Sequence, residues 1–184
     1  IYLRNRSPGS GYYTNNGDIT FWSGAANNAA QNSFISMQDG INVVSAMGAN
    51  DVMPSMNSDF TLPSGHRNAT GGGDIVFAAG SATDSLGPTG FARTLTSGVP
   101  GIELGNSSWG NTIYSGGGNI SIKGQSDTGA STYYSTAVVV PSGANINAES
   151  GKVYIEAKNN FTSSSVTAGT IEFNAWGGTT TISS

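Results

Sequence analysis

Short runs of alternating apolar and polar residues recur along this chain, and five of them share one six-residue phrase. The phrase begins with glycine and a polar residue and then alternates large apolar positions with variable ones. Because successive side chains of a β-strand point to opposite faces, the third and fifth positions of each copy point the same way. The pattern therefore predicts five strands, each with one buried face. The copies are GDITFW (17–22), GDIVFA (73–78), GNISIK (118–123), GKVYIE (151–156) and GTIEFN (169–174).

Each of three of these copies is preceded by two shorter apolar runs. They occupy residues 35–37 and 41–43, 102–104 and 112–114, and 138–140 and 145–147. Three short strands per unit, separated by Gly, Asn and Ser, predict an all-β chain folded as a parallel β-solenoid, in which equivalent residues stack about 4.8 Å apart. A β-sandwich or jelly roll is the alternative fold. The glycine before each strand is expected to provide a positive φ at a corner.

The copies are unequally spaced, which predicts a short repeating coil with irregular loop insertions. We expect these insertions near residues 48–72, 80–101 and 125–136, within a single solenoid segment covering residues 1–184. The segment is expected to be an interior piece of a longer chain. In this register Ile122 lies beside Ile155, and Lys123 lies beside Glu156 on the next coil. The fifth copy is expected to continue the same stack, with Ile171 and Phe173 inside and Glu172 over Tyr154. The polar second positions form a column on the outside: Asp18, Asp74, Asn119, Lys152 and Thr170.

The composition narrows the chemistry that this chain can perform. Only 10% of its 184 residues are charged, the net charge is −4, cysteine is absent, and His66 is the one histidine. A thiol nucleophile, a disulfide framework and a cysteine metal site are therefore excluded. The negative net charge argues against nucleic acid as a partner. No apolar run is long enough for a membrane-spanning helix. We expect no cofactor and no metal, and a solvent-exposed His66.

Several segments resemble the haemagglutinin-type repeats of large secreted bacterial adhesins. The resemblance lies in NNGDITFWSG (15–24), GGGDIVFAAG (71–80), GGGNISIKGQS (116–126) and GANINAESGKVYIEAKNN (143–160). Proteins of this type form the filamentous haemagglutinin and high-molecular-weight adhesin family, which is exported by two-partner secretion. The resemblance implies a right-handed parallel β-helix, a secreted or cell-surface location, and a role in cell adhesion or in surface fibres.

The expected function is therefore that of a non-catalytic structural and binding segment. Its partner would be a surface glycan or protein of a host or neighbouring cell, or other copies in a fibre. Aromatic rings have an apolar body and, in Trp and Tyr, a polar edge suited to wet binding surfaces. The candidate ligand-binding residues are Trp22, Trp109, Tyr133 and Tyr134. Candidate glycosylation sites, each in an Asn-x-Ser/Thr sequon, are Asn68, Asn106, Asn119 and Asn160.

Two other functions are compatible with a β-helix. A carbohydrate-active enzyme, either a polysaccharide lyase or a glycoside hydrolase, is the main alternative. A glycoside hydrolase needs two carboxylates about 5–9.5 Å apart, and the expected columns place Glu156 and Glu172 only on diagonal positions, so we predict no catalytic residue. An ice-binding solenoid needs a regular threonine column. The fourth positions of the phrase do not provide one.

Overall fold

The described part of the chain consists of short β-strands joined by turns. The computed structural model describes residues 1–4, 11–24, 33–46, 71–79, 90–95, 99–105, 111–126, 136–159, 171–173 and 179–184, and these ranges contain no helix. The strands in these ranges are β1 (Tyr2–Leu3), β2 (Gly11–Tyr13), β3 (Ile19–Ser23), β4 (Ile35–Met37), β5 (Asn42–Val44), β6 (Ile75–Ala79), β7 (Ala92–Thr94), β8 (Ile102–Glu103), β9 (Thr112–Tyr114), β10 (Ile120–Ser126), β11 (Val138–Val140), β12 (Asn145–Asn147), β13 (Val153–Asn159), β14 (Ile171–Phe173) and β15 (Thr181–Ser183).

The strands form three parallel sheets that the chain visits in turn. Sheet A has the order β1-β4-β8-β11-β14, and sheet B has the order β2-β5-β9-β12-β15. Sheet C has the order β3-β6-β10-β13, with β7 also paired to β10. One passage through A, B and C makes one rung, and each strand pairs with its equivalent in the next rung. The predicted all-β parallel β-helix, or β-solenoid, is confirmed.

The inward side chains of the three sheets form one hydrophobic core. Ile35 of sheet A, Ile113 of sheet B and Ile120 of sheet C all belong to the same buried cluster and are at most 1% exposed. Burying each such side chain stabilises the fold by about 1.5–3 kcal/mol. The short apolar runs that the sequence pattern identified therefore build a shared interior.

The predicted register between the third and fourth copies of the phrase is confirmed. Ile122 pairs with Ile155 and Lys123 pairs with Glu156, so β10 and β13 are neighbours with no rung between them. Strand β10 continues to Ser126. Residues 125 and 126, which were expected to begin the third insertion, are therefore part of sheet C. Residues 127–135 lie outside the described ranges.

The fifth copy of the phrase does not continue the stack of the first four, so this part of the expectation is wrong. Residues 171–173 form β14, which pairs with β11 in sheet A. Strand β14 follows β13, the last strand of sheet C, and occupies the first side of the next rung whatever its local pattern. Glu172 therefore lies beside Val139, not over Tyr154. The similarity between Ile102-Glu103-Leu104 and Ile171-Glu172-Phe173 is the sequence signal that identifies the correct sheet.

The glycine that opens each phrase has a different role from the one expected. Gly73, Gly118 and Gly151 are not among the glycines with positive φ. A Cβ at Gly118 would lie 2.3 Å from the carbonyl oxygen of Gly73, and one at Gly151 would lie 2.0 Å from that of Gly118. Consecutive rungs thus approach too closely at this corner for any side chain to fit between them.

The second expected insertion contains a strand. Strand β10 pairs with β6 through Ile120–Ile122 and with β7 through Gly124–Ser126. Strands β6 and β7 therefore share one side of a rung, and Ala79 and Gly90 form an isolated antiparallel bridge. The first expected insertion falls, in sequence, between β5 of sheet B and β6 of sheet C. Residues 48–70 and 80–89 lie outside the described part of the chain.

Candidate binding surface

Three columns of outward side chains cover sheet C. Each column runs across the strands, so its members come from successive rungs about 4.8 Å apart. The exposed members include Thr20 and Trp22 at one end of the sheet and Tyr154, Glu156 and Lys158 at the other. The columns are Thr20-Val76-Ser121-Tyr154, Trp22-Ala78-Lys123-Glu156 and Arg93-Gln125-Lys158.

Two aromatic side chains project from this face. Trp22 on β3 is 42% exposed, in agreement with its predicted outward position, and Tyr154 on β13 is 46% exposed. They lie three strand spacings apart along the solenoid axis, about 14 Å. Tyr154 was not among the predicted ligand-binding residues, although its place at the variable fourth position of the phrase signals outward exposure. The other candidates, Trp109, Tyr133 and Tyr134, lie outside the described residues.

The charged side chains of sheet C make two specific contacts. The Nζ atom of Lys123 lies 2.9 Å from Oε1 of Glu156, which forms the ion pair that the sequence register predicts. The Nζ atom of Lys158 lies 4.1 Å from the ring centroid of Phe91, a cation–π arrangement. Both contacts hold long side chains in defined positions on the outer face of sheet C.

The corner before sheet C carries a ladder of side-chain hydrogen bonds. The backbone N–H of Asp74 donates to Oδ1 of Asp18 over 2.8 Å, and that of Asn119 donates to Oδ1 of Asp74 over 2.7 Å. The N–H of Lys152 donates to Oδ1 of Asn119 over 3.1 Å. These four residues are exposed, as expected, and the Asp and Asn side chains also tie each rung to the next. Thr170 lies outside the described ranges.

The amide of Asn119, a candidate glycosylation site, is part of this ladder. Its Nδ2 lies 3.3 Å from Oδ1 of Asp74 while its Oδ1 accepts from Lys152. The nitrogen that would carry a glycan thus has a neighbour within hydrogen-bonding distance. The other three sequon asparagines, Asn68, Asn106 and Asn160, lie outside the described residues.

Two glutamates share an outward column on sheet A. Glu103 and Glu172 each lie beside Val139, on opposite sides of it, so their Cα atoms are two strand spacings apart, about 9.6 Å. Ser36 donates a 2.7 Å hydrogen bond to Oε2 of Glu103, and Thr136 donates a 2.8 Å bond to Oε2 of Glu172. The sequence pattern does not reveal this pair, because the repeated phrase predicts that Glu172 lies in sheet C.

The Glu103 carboxyl has an altered proton affinity. Burial raises its pKa and the nearby negative charge of Asp39 raises it further, whereas the hydrogen bond from Ser36 opposes the shift. The surroundings are poorly accessible, since Val139 is 8% exposed and Ser36 is 5% exposed. A protonated carboxyl is favoured at this position relative to an ordinary surface glutamate.

The remaining chemistry on the described surface is limited. No three of its His, Asp and Glu residues come close enough to hold a metal ion. Within the described ranges no helix has the length and apolar character needed to cross a membrane. His66 lies outside these ranges.

Comparison with known proteins identifies no relative. No protein-family model, curated protein or solved structure matches this chain.

Proposed function

We propose that this chain is a non-catalytic structural and binding segment of an extracellular bacterial adhesin or surface fibre. The observation that carries the proposal is the stacking of four haemagglutinin-like phrases as β3, β6, β10 and β13 of one sheet. Such stacking makes a rod whose rungs contact only their neighbours, and a rod is suited to an extended surface protein. The resemblance of the phrases to the adhesin repeats adds the expected secreted or cell-surface location.

The binding role rests on the outer face of sheet C. Its exposed rings, Trp22 and Tyr154, are held on rigid parallel strands and present an apolar body with a polar edge. Rings of this kind pack against sugar faces and against protein surfaces. The proposed partner is therefore a surface glycan or protein of a host or neighbouring cell, or another copy of the chain within a fibre.

An adherence assay tests this proposal. Beads coated with the purified chain are applied to cultured epithelial cells and to bacterial cells, and bound beads are counted. The Trp22→Ala/Tyr154→Ala double variant should bind several-fold less, whereas Tyr2→Ala should bind normally because Tyr2 is 57% exposed but lies on sheet A. Circular dichroism checks that each variant folds. Adherence of the unaltered chain no greater than that of albumin-coated beads would refute the proposal.

A carbohydrate-active enzyme is the second candidate, favoured by the Glu103 and Glu172 column on sheet A. Their Cα atoms are about 9.6 Å apart, close to the upper limit of about 9.5 Å for the separation of the carboxyl groups in an inverting glycoside hydrolase. The buried Val139 between them leaves little room for a sugar ring and a water molecule, which makes this the weaker candidate. New reducing ends from a polysaccharide panel, abolished by Glu172→Gln, would favour the enzyme over the adhesin segment.

A further inference from the structure

The fold gathers all three lysines of the chain at sheet C. Lys123 lies on β10 and Lys158 on β13, while Lys152 stands at the corner immediately before β13. The fourth basic residue of this region, Arg93, lies in the same outward column as Lys158. The chain has seven basic residues and a net charge of −4. Lys152 and Lys158 are close in sequence, and strand pairing adds Lys123 and Arg93 to the same sheet.

Strand β13 presents its outward residues in a straight row. Lys152, Tyr154, Glu156 and Lys158 are all exposed and alternate with partly buried residues. Outward neighbours on a strand are about 6.6 Å apart, which places Lys152 about 20 Å from Lys158 along the row. The row therefore has a cation at each end and an exposed aromatic ring between them.

Lys152 and Lys158, at the two ends of the row, remain available to bind an anion. The negative charge of Glu156 between them is balanced by a neighbouring cation. Glu156 is paired with Lys123 at 2.9 Å. Lys158 stacks over Phe91, a contact that fixes its position without cancelling its charge. The Lys152 ammonium has no ion-pair partner among the described residues, and Asp74 lies two places away in the corner column. A complementary ligand is thus negative at two points about 20 Å apart and needs no charge between them.

We propose that the outer row of β13 binds a linear polysaccharide with widely spaced carboxylates. Two acidic sugars about 20 Å apart along the polysaccharide would contact Lys152 and Lys158, and a neutral sugar between them would pack on Tyr154. This inference rests on the proposed function, of which it specifies the ligand class and site. Nucleic acid is disfavoured by the net charge of −4. An anionic membrane is disfavoured because surface recognition of that kind uses clusters of about four to eight basic residues.

Calorimetric titration of the full chain with hyaluronan fragments tests the proposal. Hyaluronan carries one carboxylate per disaccharide, and the comparison ligands are neutral dextran, densely charged dextran sulfate and single-stranded DNA. We expect binding to hyaluronan that weakens as salt is added, and no comparable binding to dextran. Equal binding to dextran, tighter lysine-dependent binding to dextran sulfate, or tighter binding to DNA would each overturn the proposal.

Charge variants locate the site. Removing one lysine from a charged contact costs about a factor of five in affinity, so Lys152→Gln/Lys158→Gln should lose about 25-fold. Arg4→Gln, which removes an exposed charge at the other end of the solenoid, should bind as the unaltered chain does. Glu156→Gln frees Lys123 and should strengthen binding several-fold. An unchanged affinity of the folded double lysine variant would overturn the proposal.

The adherence assay separates this proposal from the function on which it rests. Beads that adhere to cells while the chain fails to bind hyaluronan would overturn the polysaccharide site and leave the adhesin segment intact. Hyaluronan binding by a chain whose beads do not adhere would support the site and refute the adhesin segment.

Discussion

Lys123 and Glu156 occupy equivalent positions on neighbouring strands, with Nζ of Lys123 2.9 Å from Oε1 of Glu156. The two residues are 33 positions apart in the sequence, and they meet because β10 and β13 belong to successive rungs of the solenoid. The side chains remain 24% and 49% exposed, so water screens their attraction.

The first prediction concerns the strength of this ion pair. A double-mutant cycle with Lys123→Gln and Glu156→Gln should give a coupling free energy of about 0.2–1 kcal/mol, because exposed pairs gain little over hydrated charges. Urea unfolding at low and high salt measures it, and the coupling should shrink as salt is added. A coupling several times larger, or one that is insensitive to salt, would contradict the exposed geometry.

The second prediction concerns the glycines that begin the phrases. Gly118→Ala should destabilise the protein severely, because its Cβ would lie 2.3 Å from the carbonyl oxygen of Gly73 in the rung before. Gly17→Ala is the matched control, since Gly17 begins the first copy and its Cβ would meet only Thr14, at 3.6 Å. We expect Gly17→Ala to unfold at nearly the same urea concentration as the unaltered chain. Similar losses for both variants would show that close rung spacing is not the reason for glycine.

Much of the fold was predictable because parallel stacking repeats one local pattern. The alternation in residues 120–123 and 153–156 identified two strands and their register, since equal phrases stack position on position. The short runs at residues 102–104 and 138–140 identified a second sheet in the same way. Periodicity alone, however, does not say which side of a rung a strand occupies. For this reason the pattern assigns residues 171–173 to the wrong sheet and does not reveal that Glu103 and Glu172 lie in one column, on either side of Val139.

Contacts between residues far apart in sequence were less predictable. The exposure of Trp22 is predictable because side chains alternate between the two faces of β3 and Trp22 lies at an outward position. The ladder from Asp74 to Asn119 is not, because a polar side chain at a corner can face solvent or the next rung with equal ease. The buried Asn111 was also missed, since asparagine in a glycine- and serine-rich chain carries no distinctive signal. Its role appears only when the corner between sheets A and B is assembled.

The third prediction concerns Asn111, which is 1% exposed. Its Oδ1 accepts a 2.9 Å hydrogen bond from the N–H of Ile41, and its Nδ2 donates a 2.7 Å bond to the carbonyl oxygen of Leu104. Asn111→Ala leaves both backbone groups without their side-chain partner in the interior. Each such group costs about 1–3 kcal/mol, so the free energy of unfolding should fall by about 2–6 kcal/mol for the two groups.

Asn119, a solvent-exposed asparagine at the corner before sheet C, provides the control for this measurement. Asn119→Ala removes the acceptor for the N–H of Lys152, but at an exposed site where water can replace it. Its loss should be about 1 kcal/mol or less. Urea denaturation compares the two variants directly, and equal losses would mean that the Asn111 bonds are not shielded from water.

The fourth prediction concerns pH and Glu103. Burial and the charge of Asp39 raise the pKa of this carboxyl in the folded chain above its ordinary value of 4.5. For a carboxyl whose pKa is higher when folded, the stabilising contribution is fully present below the unfolded pKa and is lost as pH rises through the folded pKa. Glu103→Gln, which stays neutral, avoids that loss and can still accept the hydrogen bond from Ser36.

The measurement is a pair of pH series of urea unfolding, from about pH 3 to about pH 8. The free energy of unfolding of Glu103→Gln relative to the unaltered chain should increase as pH rises above about 4.5 and then level off once the folded carboxyl is ionised. Ser36→Ala removes the hydrogen bond that stabilises the ionised Glu103 carboxylate. In this variant the loss of stability should therefore continue to higher pH. A relative stability of Glu103→Gln that instead falls with rising pH would mean that ionised Glu103 stabilises the fold, the opposite of what its burial on sheet A implies.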